Sequence, residues 1–207
     1  MHTSQILLDE LKCSFDFFYR YTNLDPKSQG FGLTVDSTKK PHMASIASVG
    51  FTLTAWVIAV ERGFLSRERA VEITRHTLDT LLHRASHHRG FFAHFLHMEN
   101  GERVQKCEYS TIDTALCLNG VITAAAYFQN AEIQQLAEQL LERVDWEFIV
   151  FEKDGKTLFR MAYNPDKGGD YVNGQPGYIY QWHMAAGQKM MYLQAATRLQ
   201  PDVARRL

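Results

Sequence analysis

The sequence predicts an all-α protein carrying two β-hairpin excursions. Three observations support that expectation. Successive segments repeat apolar residues at steps of three and four, the period of a helix that buries one side. Hairpin turn signals stand at Asn100-Gly101 and Asp154-Gly155. Strand and helix patterns do not alternate in the βαβ order that a parallel sheet needs. With 207 residues, the chain is long enough for one large domain that buries ~70% of its unfolded surface.

The first helix opens at Thr3 or Ser4, either able to cap, and carries Ile6, Leu7, Leu11, Phe15, Phe18 and Tyr19. Asp25-Pro26, Gly30 and Gly32 are breakers that end it near Asn23. A second helix runs from about Ala44, after Pro41, to Arg62. It is apolar on most of its circumference, which predicts burial on more than one side. Gly63 is its natural C′ residue, and Ser66 with Glu68 opens a third helix reaching Arg84. Residues 90–98 are rich in aromatics and return through Asn100-Gly101 over 102–107 as the first hairpin. Ser110-Thr111-Ile112-Asp113 opens a fourth helix to Phe128, and Asn130 caps a fifth that reaches Trp146. The second hairpin, at Asp154-Gly155, leads into a loop rich in Gly, Asn, Asp and Pro over 164–177. A last full helix is expected from Tyr180 to Leu199. Pro201-Asp202 then starts another, too short to stand alone, so the chain reads as stopping where a helix begins.

Charge excludes some partners. Twenty-two Lys and Arg against 23 Asp and Glu give a net charge of −1, without the basic excess of a nucleic-acid or anionic-membrane binder. Cys13, Cys107 and Cys117, an odd set without C-x-x-C, fit neither a disulfide framework nor a zinc ribbon. They are expected to be small buried hydrophobes in a reducing compartment. The N-terminus lacks a basic n-region and meets Asp9 and Glu10 before any apolar run, unlike a signal peptide. The longest mostly apolar stretch, 49–60, is too short to span a bilayer. As it stands the chain is expected to be cytoplasmic and away from membranes, with an exported parent left open.

The histidines do not predict a metal centre, and no cofactor is expected. His83 and His87 share a helical face but have no acidic or Cys flank, while His94 and His97 point to opposite faces of a strand. Glu108 and Asp113 have two readings. Asp113 can complete a capping box with Ser110. Alternatively, both acids stand where a hairpin meets a helix N-terminus, a place that favours carboxylates. Beside Tyr109 and the aromatic run Phe91-Phe92-Ala93-His94-Phe95, such a pair suits glycoside hydrolysis, which needs two acids flanking the scissile bond. Further on, Tyr163, Asp166, Asp170, Tyr171, Tyr178, Tyr180 and Trp182 form either a ligand rim or a loop packing its own aromatics. Trp56 and Trp146, set in apolar helix periods, are expected in the core.

Taken in order, several segments resemble a known family. Phe15-Asp16-Phe17-Phe18-Tyr19, then Gly32-Leu33-Thr34-Val35-Asp36-Ser37, is similar to its opening F-x-Y-F-W … G-L-x-x-D. Residues 44–55 with Val60-Glu61-Arg62-Gly63 resemble its second helix, and 90–97 resemble its G-F-F-Y-H-F-L-D. Residues 107–116 and Arg143-Val144-Asp145-Trp146 match its next two motifs. This is the glucoamylase-like group that includes glycoside hydrolase family 144 endo-β-1,2-glucanases and a domain of cyclic β-1,2-glucan synthases. The resemblance covers nearly the whole chain. It implies an (α/α)6 toroid, two concentric rings of helices with a sugar cleft at one end. Family members are longer, so residues 1–207 correspond to a single, incomplete domain, the N-terminal half.

By the same resemblance, Glu108 and Asp113 are the cleft acid and base, and His94, Tyr109, Tyr178, Trp182 and Asp36 bind an oligo- or polysaccharide, a β-1,2-glucan. One position departs from the pattern. Gly187 stands where the family's W-x-G-Y-x-E-A carries its Glu, and no Asp or Glu lies between Tyr171 and Gln200. Hydrolysis therefore stands beside an alternative: non-catalytic carbohydrate binding by a half-toroid. Such a half would pair with a second copy or with a complementary C-terminal half.

Overall fold

The computed structural model describes residues 3–166 and 177–181, together with 191, 194, 195 and 197. Five long helices form close to where periodicity places them: α1 (Thr3–Tyr21), α2 (Ile46–Glu61), α3 (Arg67–His83), α4 (Thr111–Phe128) and α5 (Ala131–Glu142). Three caps are made by the expected residues. Ser66 accepts from the Arg69 amide, Ser110 from that of Asp113, and Asn130 from those of Glu132 and Ile133. Each satisfies N–H groups that the first helical turn leaves without partners.

The strands depart from the all-α expectation. They are β1 (Met43–Ser45), β2 (His87–His88), β3 (Phe91–Phe92), β4 (Phe95–His97), β5 (Tyr109–Ser110), β6 (Val150–Lys153), β7 (Lys156–Tyr163) and β8 (Tyr178–Gln181). The Asn100-Gly101 turn does form, with the Gly101 amide bonded to the His97 carbonyl. Its returning arm makes only an isolated bridge, Leu96 to Arg103, because Gln105 and Lys106 adopt left-handed backbone that ends pairing. β4 pairs instead with β1, and β3 with β2. The second hairpin is present as β6–β7, turning through Asp154 and Gly155, both at positive φ as a tight hairpin requires. β7 continues past it to pair with β5 and β8, giving a four-stranded sheet.

Two boundaries also move. α5 stops at Glu142, and Trp146–Ile149 form a 3-10 turn capped by Asp145. Tyr180, the expected start of the last helix, lies in β8. Most of that helix, with Gly187 and the start at Pro201, lies outside the described residues.

At the centre, α2 and α4 pack backbone against backbone. A Cβ built on Gly120 would sit 2.1 Å from the Gly50 carbonyl oxygen, and one on Gly50 would sit 2.4 Å from that of Leu116. Only glycine permits that approach. Trp56, Leu53, Phe91, Phe92 and Leu118 are buried around the crossing, and Trp146 also lies in the core. α4 is long and apolar enough to cross a membrane by length and composition, yet half of it is buried inside this fold. The α1 stripe is only partly core. Phe15 is buried, whereas Ile6 and Leu7 are exposed, since the first turns of α1 run beyond the packed elements. The cysteines divide as well: Cys117 is buried, Cys107 half-buried, and Cys13 exposed, contrary to expectation.

Candidate functional site

The N-termini of α2 and α4 meet at one residue, His94. Its backbone N–H donates to the Glu108 carbonyl at 2.9 Å, and its carbonyl accepts from the Ile46 amide, the first of α2, at 3.1 Å. The neighbouring Ala93 bridges Tyr109, so the approach to α4 runs alongside the approach to β4. Thr114 closes the corner by donating to the Ser110 carbonyl and accepting from the Phe92 amide. Two helices thus direct their N-terminal dipoles at a single spot, which favours carboxylates there.

Two carboxylates occupy that spot. His94 Nδ1 lies 2.7 Å from Glu108 Oε1, and His94 Nε2 lies 3.7 Å from Asp113 Oδ2. The first is a hydrogen bond between Nδ1 and the Glu108 carboxyl; the second is a longer contact, an ion pair when the ring is protonated. Asp113 is held from below, for Ser110 Oγ donates to its Oδ2 at 2.5 Å while capping its amide at 3.3 Å. Asp113 thus makes contacts of two kinds. Its backbone closes a cap, and its carboxylate, 17% exposed, faces the imidazole. Burial disfavours charge on His94, but the Glu108 hydrogen bond and the charges of Asp113, Glu108 and Asp36 outweigh it and raise the imidazole above its ordinary value. Asp36, exposed, reaches this neighbourhood because its amide bonds to the Met43 carbonyl at the start of β1.

Two other expected sugar contacts, Tyr109 and Tyr178, lie on β5 and β8. Tyr109 sits one residue along the strand from Glu108, and its ring packs on the Arg103 guanidinium at 4.8 Å and beside His88. Arg103 also binds Asn164 and Asp166, and its hydrogen bond holds the Asp166 carboxyl below the usual range. Tyr163 stacks on His88 at 4.6 Å and meets Phe148 edge-on. At these two positions the late segment packs against residues of earlier elements, His88, Phe148 and Arg103. Tyr178 lies in β8 opposite Tyr163. Trp182, Asp170 and Tyr171 fall outside the described residues.

The structure therefore brings together His94, Glu108 and Asp113, with Asp36 close by, and sets Tyr109 apart. Arg103, which ties this region to the late loop, was not singled out by sequence. Its partners lie about sixty residues away, and no local pattern marks it. A cavity of about 260 Å3 between the 26–31 loop and α3, lined by Lys27, Phe31, His76 and Arg84, holds none of these residues. Among the described residues no cluster of three His, Cys, Asp or Glu side chains is arranged to hold a metal ion.

No protein-family profile matches the chain. Over 176 residues, 80% of its length, it is 25% identical to an exo-β-1,2-glucooligosaccharide sophorohydrolase (non-reducing end) of Parabacteroides distasonis. The chain spans 24% of that relative, about a quarter of its length. The fold superposes on the crystal structure of a β-1,2-glucanase from Parabacteroides distasonis with a TM-score of 0.75 at 21% identity, covering 98% of this chain and 29% of that one. It also superposes on an endo-β-1,2-glucanase from Chitinophaga pinensis, in complex with sophorotriose and glucose, with a TM-score of 0.77 at 19% identity. That match covers 98% of this chain and 50% of the other. These likenesses support a relationship to the glucoamylase-like proteins and glycoside hydrolase family 144.

Proposed function

We propose, from that relationship, that the chain is a glycoside hydrolase-related protein whose His94–Glu108–Asp113 cluster engages a β-glucan, β-1,2-linked. We read its helices as part of an (α/α)6 toroid, with the cluster at the cleft end. One observation carries the reading: two carboxylates flank a single imidazole where two helix N-termini meet. The relatives named for β-1,2-glucan chemistry supply the substrate class.

Glycoside hydrolysis needs two acids flanking the scissile bond. Glu108 and Asp113, on either side of the His94 imidazole, are the pair placed to fill those roles or to accept from sugar hydroxyls. Calorimetry with β-1,2-glucooligosaccharides, with an assay of released reducing ends, tests this. Asp113→Asn and Glu108→Gln are each expected to weaken sugar binding roughly tenfold, the worth of one hydrogen bond to a charged group. Equal affinity in both variants contradicts the assignment.

A second reading concerns partners. Phe51 and Ile58 on α2, Ile122 on α4 and Leu7 on α1 are 39–65% exposed. Such apolar surface suits an interface with a second copy or a complementary half. Sedimentation over a concentration series distinguishes a self-associating chain from one that stays monomeric.

A further inference from the structure

We propose that His94 is a positioning residue that, together with Asp113, holds one hydroxyl of the bound sugar. Its Nδ1–H is committed to Glu108 at 2.7 Å. Its Nε2 and Asp113 Oδ2 lie 3.7 Å apart, too far for a direct hydrogen bond, and an oxygen set to one side of the line between them reaches both at about 2.8 Å. This inference rests on the β-glucan reading above and specifies how that site recognises its ligand.

The chemistry of the gap selects a hydroxyl. With Nδ1–H given to Glu108, a protonated ring offers Nε2–H only as a donor, and an ionised Asp113 only accepts. The bridging group must therefore accept on one side and donate on the other. A hydroxyl does both, whether of a sugar or of the water that it displaces; an ammonium cannot accept, and a carboxylate cannot donate. Asp113 Oδ2 already accepts from Ser110 Oγ but has a second lone pair for the bridge.

The ring is fixed in place. Both backbone groups of His94 are bonded, to the Glu108 carbonyl and the Ile46 amide, and the imidazole stacks on Phe95 at 3.9 Å with 16° between planes. Among the described residues, the charged groups facing it are Glu108 from the β5 approach, Asp113 from α4 and Asp36 from the segment before β1. Cys107, beside Phe95, is held as a neutral thiol by burial and adds no charge. These carboxylates raise the imidazole above its ordinary value, which favours the form that carries a proton on both ring nitrogens.

The test joins imidazole NMR of the whole chain to β-1,2-glucooligosaccharide affinity measured against pH. His94 is expected to titrate above the ordinary value of ~6.5, and to move down in Glu108→Gln and in Asp113→Asn. Sugar is expected to shift the Nε2 signal. Affinity should fall as pH rises through the His94 titration, because the donor is then lost. In His94→Gln, affinity should drop roughly tenfold, matching one charged hydrogen bond, and that alkaline limb should vanish. Adding Asp113→Asn to His94→Gln should then cost little more, since both remove the same bridge. A His94 titration at or below the ordinary value, unmoved by Glu108→Gln, overturns the inference without any sugar. So does an unchanged pH limb in His94→Gln while sugar still binds, and that result leaves the glucan reading standing. A correctly titrating His94 in a wild-type chain that shows no sugar response anywhere removes the glucan reading, and the hydroxyl position with it.

Discussion

At the residue scale, His94 shows what the sequence could and could not convey. The motif around it marked His94, Glu108 and Asp113 as neighbours of a cleft, but no spacing says that an imidazole stands between two carboxylates. His94 and Glu108 are fourteen positions apart, and the Ala93–Tyr109 bridge with the His94 N–H to Glu108 carbonyl bond brings them together. Tyr109 illustrates the converse. Adjacent in sequence to Glu108, it faces Arg103 because successive side chains of a strand alternate sides. The cluster also has a consequence for stability. The folded His94 pKa is raised, so its contribution is complete below the unfolded value of ~6.5 and is lost as pH rises through the folded value. Thermal unfolding followed across that alkaline range is expected to show falling stability in the native chain. His94→Gln should flatten the dependence.

At the element scale, helices were legible because their signals are local. Ser66, Ser110 and Asn130 cap where they were expected to, and α3 and α4 end within one residue of expectation. Strand partners were not legible. A turn such as Asn100-Gly101 fixes a local reversal, but β4 finds its ladder with β1, about fifty residues earlier. β8 was hidden for the same reason, since its partner β7 lies across the late loop. The α2–α4 crossing makes a direct prediction. Gly120→Ala brings a methyl to 2.1 Å from the Gly50 carbonyl, and the helices must separate, at a cost of about 1–3 kcal/mol or more. Urea unfolding measures it, and a neutral result contradicts the close packing. The end of α3 makes another. Arg143, which burial pushes down to about 10, still carries its charge at neutral pH and donates to the carbonyls of Leu81 and Leu82. Arg143→Met leaves those helix-end carbonyls without their donors, an expected loss of about 1–3 kcal/mol in the same experiment.

At the scale of the whole molecule, the chain is a helical array whose two central helices deliver their N-termini to one acidic corner. The helical character and the acidic residues of that corner were legible in the sequence. The four-stranded sheet, and the exposure of Phe51, Ile58 and Ile122, were not, because each depends on what packs against what. The chain spans 24% of its sophorohydrolase relative and 50% of the Chitinophaga glucanase, and its own strand-to-helix junctions build the acidic corner. The central claim is that this corner receives a β-glucan. The most direct measurement is backbone and side-chain NMR mapping of the chain titrated with β-1,2-glucooligosaccharides. The account predicts saturable shifts centred on His94, Glu108 and Asp113, with Ser110 and Ile46 moving beside them. Shifts confined to another surface, such as the cavity beside His76, or none at millimolar sugar, contradict it.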